Sequence, residues 1–503
     1  QPSRGFQSSV DPRLHFGLGT EATVDSLTVV WPDGRFQTLT DVAADRTIAL
    51  RQADATETYR HPRAPAEPRF ADVTEALAID YRHEENDFND FIREPLMPRK
   101  LSTEGPALAV DDVDGDGRDD LFVGGARRQP ARLFVQQPDG RFRSANESVW
   151  EADAQHEDVD AAFFDADGDG DLDLYVVSGG NEFWDTAAAL RDRLYLNDGS
   201  GNFRRARDAL PDDMFANGGA VAPGDYDGDG DADLFVGGRV VPFAYGAAPS
   251  SYLLENDGTG RFRDATAERA PELAEAGMVA GAVWMEATGD DRLDLVVAGE
   301  WMPIRLFVQD EDGRFVERTD EAGFGATAGW WNAVYAADLD GDGDLDLVAG
   351  NLGQNAILKA TPDEPVRLYL NDFNDDGRLD PILTYYNDGV SYPFFGRDLF
   401  ARQIEALRTR FPRYEDFGAS QIDDLFPARK IDEALVQEAH RFDHVYALNR
   451  GDGTFVVRSL PAHAQIAPVY GILADDLDAD GRTDLVVGGN FYGVRAEQGR
   501  YDA

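Results

Sequence analysis

The 503-residue chain carries 95 acidic against 47 basic residues, a formal net charge of −48, with 42% hydrophobic residues and 11% aromatics. That apolar content is enough for a packed core, whereas the charge excludes nucleic acid as a natural partner and disfavours an anionic membrane surface. There is no cysteine and no run of about 18 apolar residues, so neither a disulfide nor direct insertion as a membrane helix is expected.

The acidity has two readings. Many carboxylates are placed as ligands for divalent cations, which can stiffen loops where disulfides are missing. The other reading is a surface adapted to high salt in the manner of halophilic proteins, since Lys100, Lys359 and Lys430 are the only lysines and almost all basic residues are Arg. Both can act together.

In chain order, QPSRGFQSSV reads as the middle of a domain, which suggests a fragment of a longer protein. SSVDPRLHFGLG and VDSLTVVWPDGRFQTLTDV follow, and residues 56–69 are expected to be a linker. FADVT, from Phe70, reads as an extra strand. The segment YRHEENDFNDFIREP then brings together His83, Glu84, Glu85, Asn86, Asp87 and Arg93.

From residue 112 one motif recurs seven times. Its ligand positions 1, 3, 5 and 9 are Asp112, Asp114, Asp116 and Asp120 in the first copy, then Asp165, Asp167, Asp169 and Asp173, and then Asp225, Asp227, Asp229 and Asp233. The fourth copy is degenerate, with Glu286, Thr288, Asp290 and Asp294. Next come Asp338, Asp340, Asp342 and Asp346, then Asp372, Asn374, Asp376 and Asp380, and finally Asp476, Asp478, Asp480 and Asp484. Alternating carboxylates on a tight loop, usually with Gly at position 6, suit Ca2+, which takes six to eight oxygens at about 2.3–2.6 Å. Five to seven such sites are expected. Short apolar runs on both sides (PALAV before, LFVGG after) make each loop the tip of a β-hairpin, and two further strands complete each unit. DLFARQIEALRTRF and PARKIDEALVQEAH break the pattern with helical periodicity, a helical insertion at about 396–442.

The unit resembles FG-GAP/VCBS repeats, the blades of integrin-α-like propellers. Residues 1–55, through SSVDPRLHFGLG and VDSLTVVWPDGRFQTLTDV, look like the ASPIC/UnbV domain of bacterial relatives of cartilage acidic protein, which implies a small, partial N-terminal β domain there. The resemblance implies an all-β chain with a seven-bladed β-propeller over residues 70–503, calcium in the blade hairpins, FADVT completing the last blade, and GRYDA ending it two strands short. In such a blade the calcium loops share one face, and the second-to-third-strand loops lie on the other. That opposite face holds Trp184, Arg239, Tyr245, Trp301, Asn355 and Tyr492, joined by Trp330 and Trp331 from GWWN and by His83 and Arg93.

The expected function is a calcium-stabilised extracellular, periplasmic or cell-surface protein binding a glycan or another protein on that face. A polysaccharide lyase or hydrolase using His83 with Arg93 or Lys100 is the alternative, and a structural subunit of a cell-envelope assembly a third. GxSxG, P-loop and HExxH motifs are all missing, and no catalytic residue is assigned.

Overall fold

The computed structural model describes residues 13–59, 71–184, 186–495 and 498–499. The chain divides into two compact units, Gln1–Val73 and Thr74–Ala503.

In the first unit, Thr23–Val30 and Arg35–Ala43, both rich in β-branched residues, pair antiparallel, and the short strand Glu57–Thr58 adds beside Arg35 and Phe36. The WPDG turn is closed by the Trp31 N–H on the Arg35 carbonyl and the Gly34 N–H on the Trp31 carbonyl, both 2.8 Å. The start of SSVDPRLHFGLG, most of the expected linker, Phe70 and most of GRYDA lie outside the described residues.

FADVT does not supply a strand in its described part: Ala71–Val73 is irregular, and Thr74–Leu77 is a helical turn.

The second unit is all-β with little helix and is propeller-like in its succession of sheets. Four antiparallel meanders of four strands come first, the fourth joined by a fifth short strand, Gly329–Trp330, beside Glu300 and Met302. The first runs Leu108–Asp111, Asp120–Val123, Arg132–Gln136, Phe142–Ala145, and the second Asp158–Phe164, Asp173–Ser178, Arg193–Leu196, Arg204–Ala206. The third runs Gly218–Gly224, Asp233–Gly238, Tyr252–Asn256, Phe262–Asp264, and the fourth Met278–Met285, Asp294–Met302, Arg305–Gln309, Phe315–Glu317. The first strands of successive sheets lie side by side. Apolar runs such as LFVGG bury both faces because each sheet is covered by the next. One core cluster joins sheets one and two, another two and three, another three and four, and another four and five.

The fifth sheet departs from the even pattern. Its first two strands, Ala333–Ala337 and Asp346–Gly350, pair with Val445–Asn449 and Phe455–Ser459, nearly a hundred residues further on. Between them lies a separate sheet ordered Val390–Pro393, Asp380–Asn387, Val366–Asn371, Leu435–Ala439. The sixth Asp loop, at Asp372, belongs to this inserted sheet rather than to a blade of its own. Five short helices, from Arg397–Gln403 to Ala428–Asp432, fill the expected helical insertion. Its last part is corrected: Leu435–Ala439 of IDEALVQEAH is a strand, because pairing with Val366–Leu370 outweighs its helical periodicity.

The seventh loop joins Gly471–Asp475 to Asp484–Gly488, a two-stranded sheet. Among the described residues the seven loops therefore head six successive sheets plus one inserted sheet, not seven four-stranded blades. Leu108 and Val110 on the first sheet are each 59% exposed, and Leu473 and Val486 on the sixth are also exposed, so among the described residues neither sheet is covered on that side as the others are.

The segment before the first sheet runs across the ends of several sheets. Phe91, Leu96, Met97 and Leu101 share the largest core cluster with Val240, Tyr245, Trp301, Trp330 and the inserted sheet. At its centre Arg99 is buried. It lies 3.1 Å from Glu300 of the fourth sheet and donates to Asn332 Oδ1 at 3.0 Å and to Tyr470 Oη at 3.2 Å. Arg239, from the end of the third sheet, reaches Glu104 at 2.8 Å and Glu300 at 3.1 Å, and Tyr245 Oη donates to Glu300 at 2.8 Å. Burial by itself would lower the Arg99 pKa, but Glu300, then Tyr470 and Glu104, hold the guanidinium charged. The Lys100 N–H meets the Gly493 carbonyl at 2.7 Å, so the chain after the sixth sheet is tied to the same segment.

Arg99→Ala should cost about 3–5 kcal/mol by urea unfolding, because it leaves Glu300 and Glu104 sharing the single guanidinium of Arg239 in a buried place. Arg429→Ala, which breaks an exposed pair with Glu433, should leave the unfolding midpoint unchanged.

Candidate metal centres and recognition surface

Each Asp loop is built the same way, and each position has its own task. The position-1 carboxylate folds the loop over itself. Asp165 accepts from the N–H groups of Gly168 at 2.8 Å and Gly170 at 3.0 Å, and Asp476 accepts from Asp480 and Gly481, both at 2.9 Å. The position-5 residue accepts from the N–H two residues on in every loop, from Asp116 with Arg118 at 3.1 Å to Asp480 with Arg482 at 3.0 Å.

The position-9 aspartate opens the second strand and is buried in the first six loops. It accepts from the N–H of loop position 2 and from the end of the third strand. For Asp173 these are Ala166 at 3.0 Å and Asn197 at 2.8 Å, and for Asp294 they are Ala287 at 3.2 Å and Gln309 at 2.9 Å. In the inserted sheet the Gln403 side chain takes the place of the third strand against Asp380. Asp484 is only half-buried, and among the described residues its two-stranded sheet has no third strand.

Sequence reading missed the residue that ends the third strand. Asn197 donates to the Val113 carbonyl of the preceding loop at 2.8 Å, Asn256 to Ala166 at 2.9 Å, and Gln309 to Tyr226 at 2.6 Å. Loop position 2 thus gives its N–H to its own sheet and its carbonyl to the next. The signal was the amide closing RLYLN, SYLLEN and RLFVQ. The turn after that amide packs on the loop of its own sheet: at Gly199, with φ 70°, an added Cβ would collide with the Asp171 carboxylate.

Ligand oxygens converge. One oxygen from each of Asp112, Asp114 and Asp120 lies within 4.8 Å of the others, and the same holds for Asp165, Asp167 and Asp173, for Asp225, Asp227 and Asp229, and for Asp338, Asp340 and Asp346. Asp114 Oδ1 and Asp167 Oδ1 are buried with no hydrogen-bond donor. Such oxygens suit a hard divalent cation, so the residues fit the expected metal. Burial pushes Asp233 up to about 7 and Asp173, Asp294 and Asp380 up to about 6, the burden a bound cation would relieve.

The fourth and sixth loops are partly braced by their own chain. Glu286 turns one oxygen onto the N–H groups of Thr288 at 2.9 Å, Gly289 at 2.5 Å and Asp290 at 3.1 Å, and the Arg292 guanidinium pairs with Asp290. In the sixth, Lys430 Nζ sits 2.5 Å from the Asp372 carbonyl and from Asp375.

The face expected to bind ligand is largely consumed internally. Arg239, Tyr245, Trp301, Trp330 and Trp331 are at most 5% exposed. The first three belong to the network around Glu300, Trp330 packs edge-on against Trp301 at 5.0 Å, and the Trp331 indole donates to the Thr327 carbonyl. These five are therefore not a surface platform, because the segment 88–101 and the blade ends pack over them. Trp184, Asn355 and Tyr492 are exposed. The Trp184 ring lies 4.6 Å from Phe243, which holds φ 67°, and the Arg93 guanidinium sits over Phe243 at 4.2 Å and Phe88 at 4.9 Å.

His83, Arg93 and Lys100 each have separate partners. His83 meets Glu85 at 2.7 Å, Arg93 donates to the Asn181 and Glu182 carbonyls, and Lys100 donates to the Phe88 carbonyl at 2.9 Å.

The ASPIC and UnbV family matches residues 1–57, and the FG-GAP-like repeat matches 112–176, 165–236 and 286–349. The chain carries an ASPIC/UnbV segment followed by FG-GAP repeats. Cartilage acidic protein 1 of Mus musculus and of Homo sapiens are each 28% identical to it over 316 residues, 57% of this chain. The chain spans 44% and 43% of the length of those relatives. Among solved structures, an ancestral GH74 enzyme is 10% identical with a TM-score of 0.34, covering 78% of this chain and 46% of that one. A thermostable family-43 glycoside hydrolase is 9% identical with a TM-score of 0.27, covering 58% of this chain and 92% of that one. Likenesses of that size carry nothing about activity.

The raised aspartates set a pH dependence. Each binds its proton more tightly in the folded than in the unfolded chain, so the stability it contributes is present at low pH and lost as pH rises through about 6 to 7. His156, held down to about 4 by burial, and His444, lowered by burial as well, oppose this as two imidazoles against four carboxyls. EGTA-treated protein should therefore melt higher at pH 5.5 than at pH 7.5. Excess calcium should reverse that order, because the ion requires the carboxylates ionised.

Proposed function

We propose that the chain is a calcium-braced binding or scaffold protein of the cell exterior rather than an enzyme. The observation that carries this is the loop geometry: ligand oxygens are already gathered in the folded chain, with two of them, on Asp114 and Asp167, buried and unpartnered. Calcium bound there ties each hairpin tip to its own third strand and to the next sheet, so it acts on the stiffness of the whole succession. The FG-GAP repeats and the similarity to cartilage acidic protein 1 support the same reading, including the extracellular or surface location. No helix among the described residues is long and apolar enough to cross a membrane.

The contact surface in this reading is the stack of Trp184, Phe243, Arg93 and Phe88. A largely exposed indole beside a ring and a cation offers a flat apolar surface with a polar edge, suited to a sugar ring or to a protein side chain. A scaffold role within a larger assembly is favoured by a different observation, the uncovered apolar residues Leu108, Val110, Leu473 and Val486 on the first and sixth sheets.

Two measurements test this. Metal analysis of the purified chain should find five to seven calcium ions, and EGTA should lower the melting temperature, since each site contributes about 2.7 kcal/mol at a hundredfold excess of calcium over Kd. A chain that holds no calcium and ignores EGTA refutes the bracing. On glycan and secreted-protein arrays, Trp184→Ala should lose binding by tenfold or more while melting as wild type does, because its side chain is 70% exposed.

A further inference from the structure

Outside the aspartate loops, a different donor set is gathered where the leading segment meets the seam between the first and second sheets. One ligand atom from each of His83, Glu85 and Glu157 lies within 4.8 Å of the others. His83 Nε2 is 2.7 Å from Glu85 Oε1. Glu157, only 1% exposed, stands immediately before the first strand of the second sheet. One of its oxygens accepts from the Arg127 N–H at 2.8 Å, while Oε1 is buried with no hydrogen-bond partner. His83 Nδ1 is likewise buried without a partner.

A simple ion pair between His83 and Glu85 leaves both of those atoms unsatisfied, which is costly in a buried place. A bound cation satisfies Glu157 and takes the imidazole nitrogen as well. An imidazole with two carboxylates is a nitrogen–oxygen set, which suits zinc and its first-row neighbours, whereas calcium takes oxygen ligands only. We propose that His83, Glu85 and Glu157 form a binding site for a first-row divalent metal of the zinc class, chemically separate from the Asp loops.

The site is held in place before any ion arrives. Tyr81 Oη donates to the Gly124 carbonyl at 2.9 Å, the Glu84 N–H donates to Gln129 Oε1 at 2.8 Å, and Gln129 Nε2 donates to the Arg82 carbonyl at 2.7 Å. These bonds fix residues 81–84 against the loop after the first sheet's second strand. A metal joining His83 and Glu85 to Glu157 pins the outer end of the segment whose inner end carries Arg99. Three protein ligands leave coordination positions for water or for a donor from a partner.

The test is calorimetric titration of ZnCl2 into the full chain kept in excess CaCl2, which saturates the oxygen-only loops. One zinc equivalent should bind, and His83→Gln and Glu85→Gln should each weaken it about tenfold or more while leaving the calcium content unchanged. Glu85 is on the rim of the site, so its amide variant should fold normally, and near-ultraviolet circular dichroism checks that it does. X-ray absorption on the zinc-loaded chain should show one imidazole nitrogen among oxygen neighbours. No zinc binding under these conditions, or binding unaltered by both variants, overturns the proposal.

Discussion

Arg99 is a full positive charge with no access to water, and the arrangement of the second unit follows from what must surround it. Removing such a charge from solvent costs several kcal/mol, which is recovered only if counter-charges and hydrogen bonds meet it in good geometry. Glu300 from the fourth sheet, Glu104 from its own segment, Asn332 before the fifth sheet and Tyr470 before the sixth do so together. Arg239 then balances the second carboxylate, giving two positive and two negative charges in one buried set. Few placements of the sheet ends satisfy that set at once. This constraint makes the segment before the first sheet part of the core rather than a tether.

A second constraint acts at the hairpin tips. Carboxylates crowded within 4.8 Å repel one another, and that repulsion grows where burial lowers the local dielectric. The chain answers with backbone N–H donors first: each buried position-9 aspartate accepts hydrogen bonds from its own loop and from a neighbouring strand or side chain. A cation completes what the N–H groups leave undone. Where a side-chain cation already stands at the loop, as with Arg292 or Lys430, less is left for a metal to do.

The two constraints explain why the recognition surface is small. The aromatic and charged groups at the ends of the third to fifth sheets are used to bury the leading segment, so they serve cohesion rather than contact with a ligand. Trp184 escapes because it sits at the margin, beyond Arg93. Phe243, with a left-handed backbone uncommon for a bulky residue, is held beside it by the stacked guanidinium.

Much of this protein was legible in its sequence, for local reasons. The nine-residue spacing of the Asp loops determines a hairpin tip with oxygen donors on its inner side, because the contacts that shape it span fewer than ten residues. The alternating strand pattern and the amphipathic helices before Leu435 are local in the same sense. What only the tertiary structure decided are pairings between residues far apart in the chain. The sixth loop belongs to an inserted sheet because Val445–Asn449, not the strand that follows it, completes the fifth sheet. Leu435–Ala439 is a strand because Val366–Leu370 waits for it. Arg239, Tyr245 and Trp301 are core rather than surface because Arg99, more than 130 residues earlier, carries its charge among them. Burial and charge balance are properties of assembled neighbours, and no spacing within one segment encodes them.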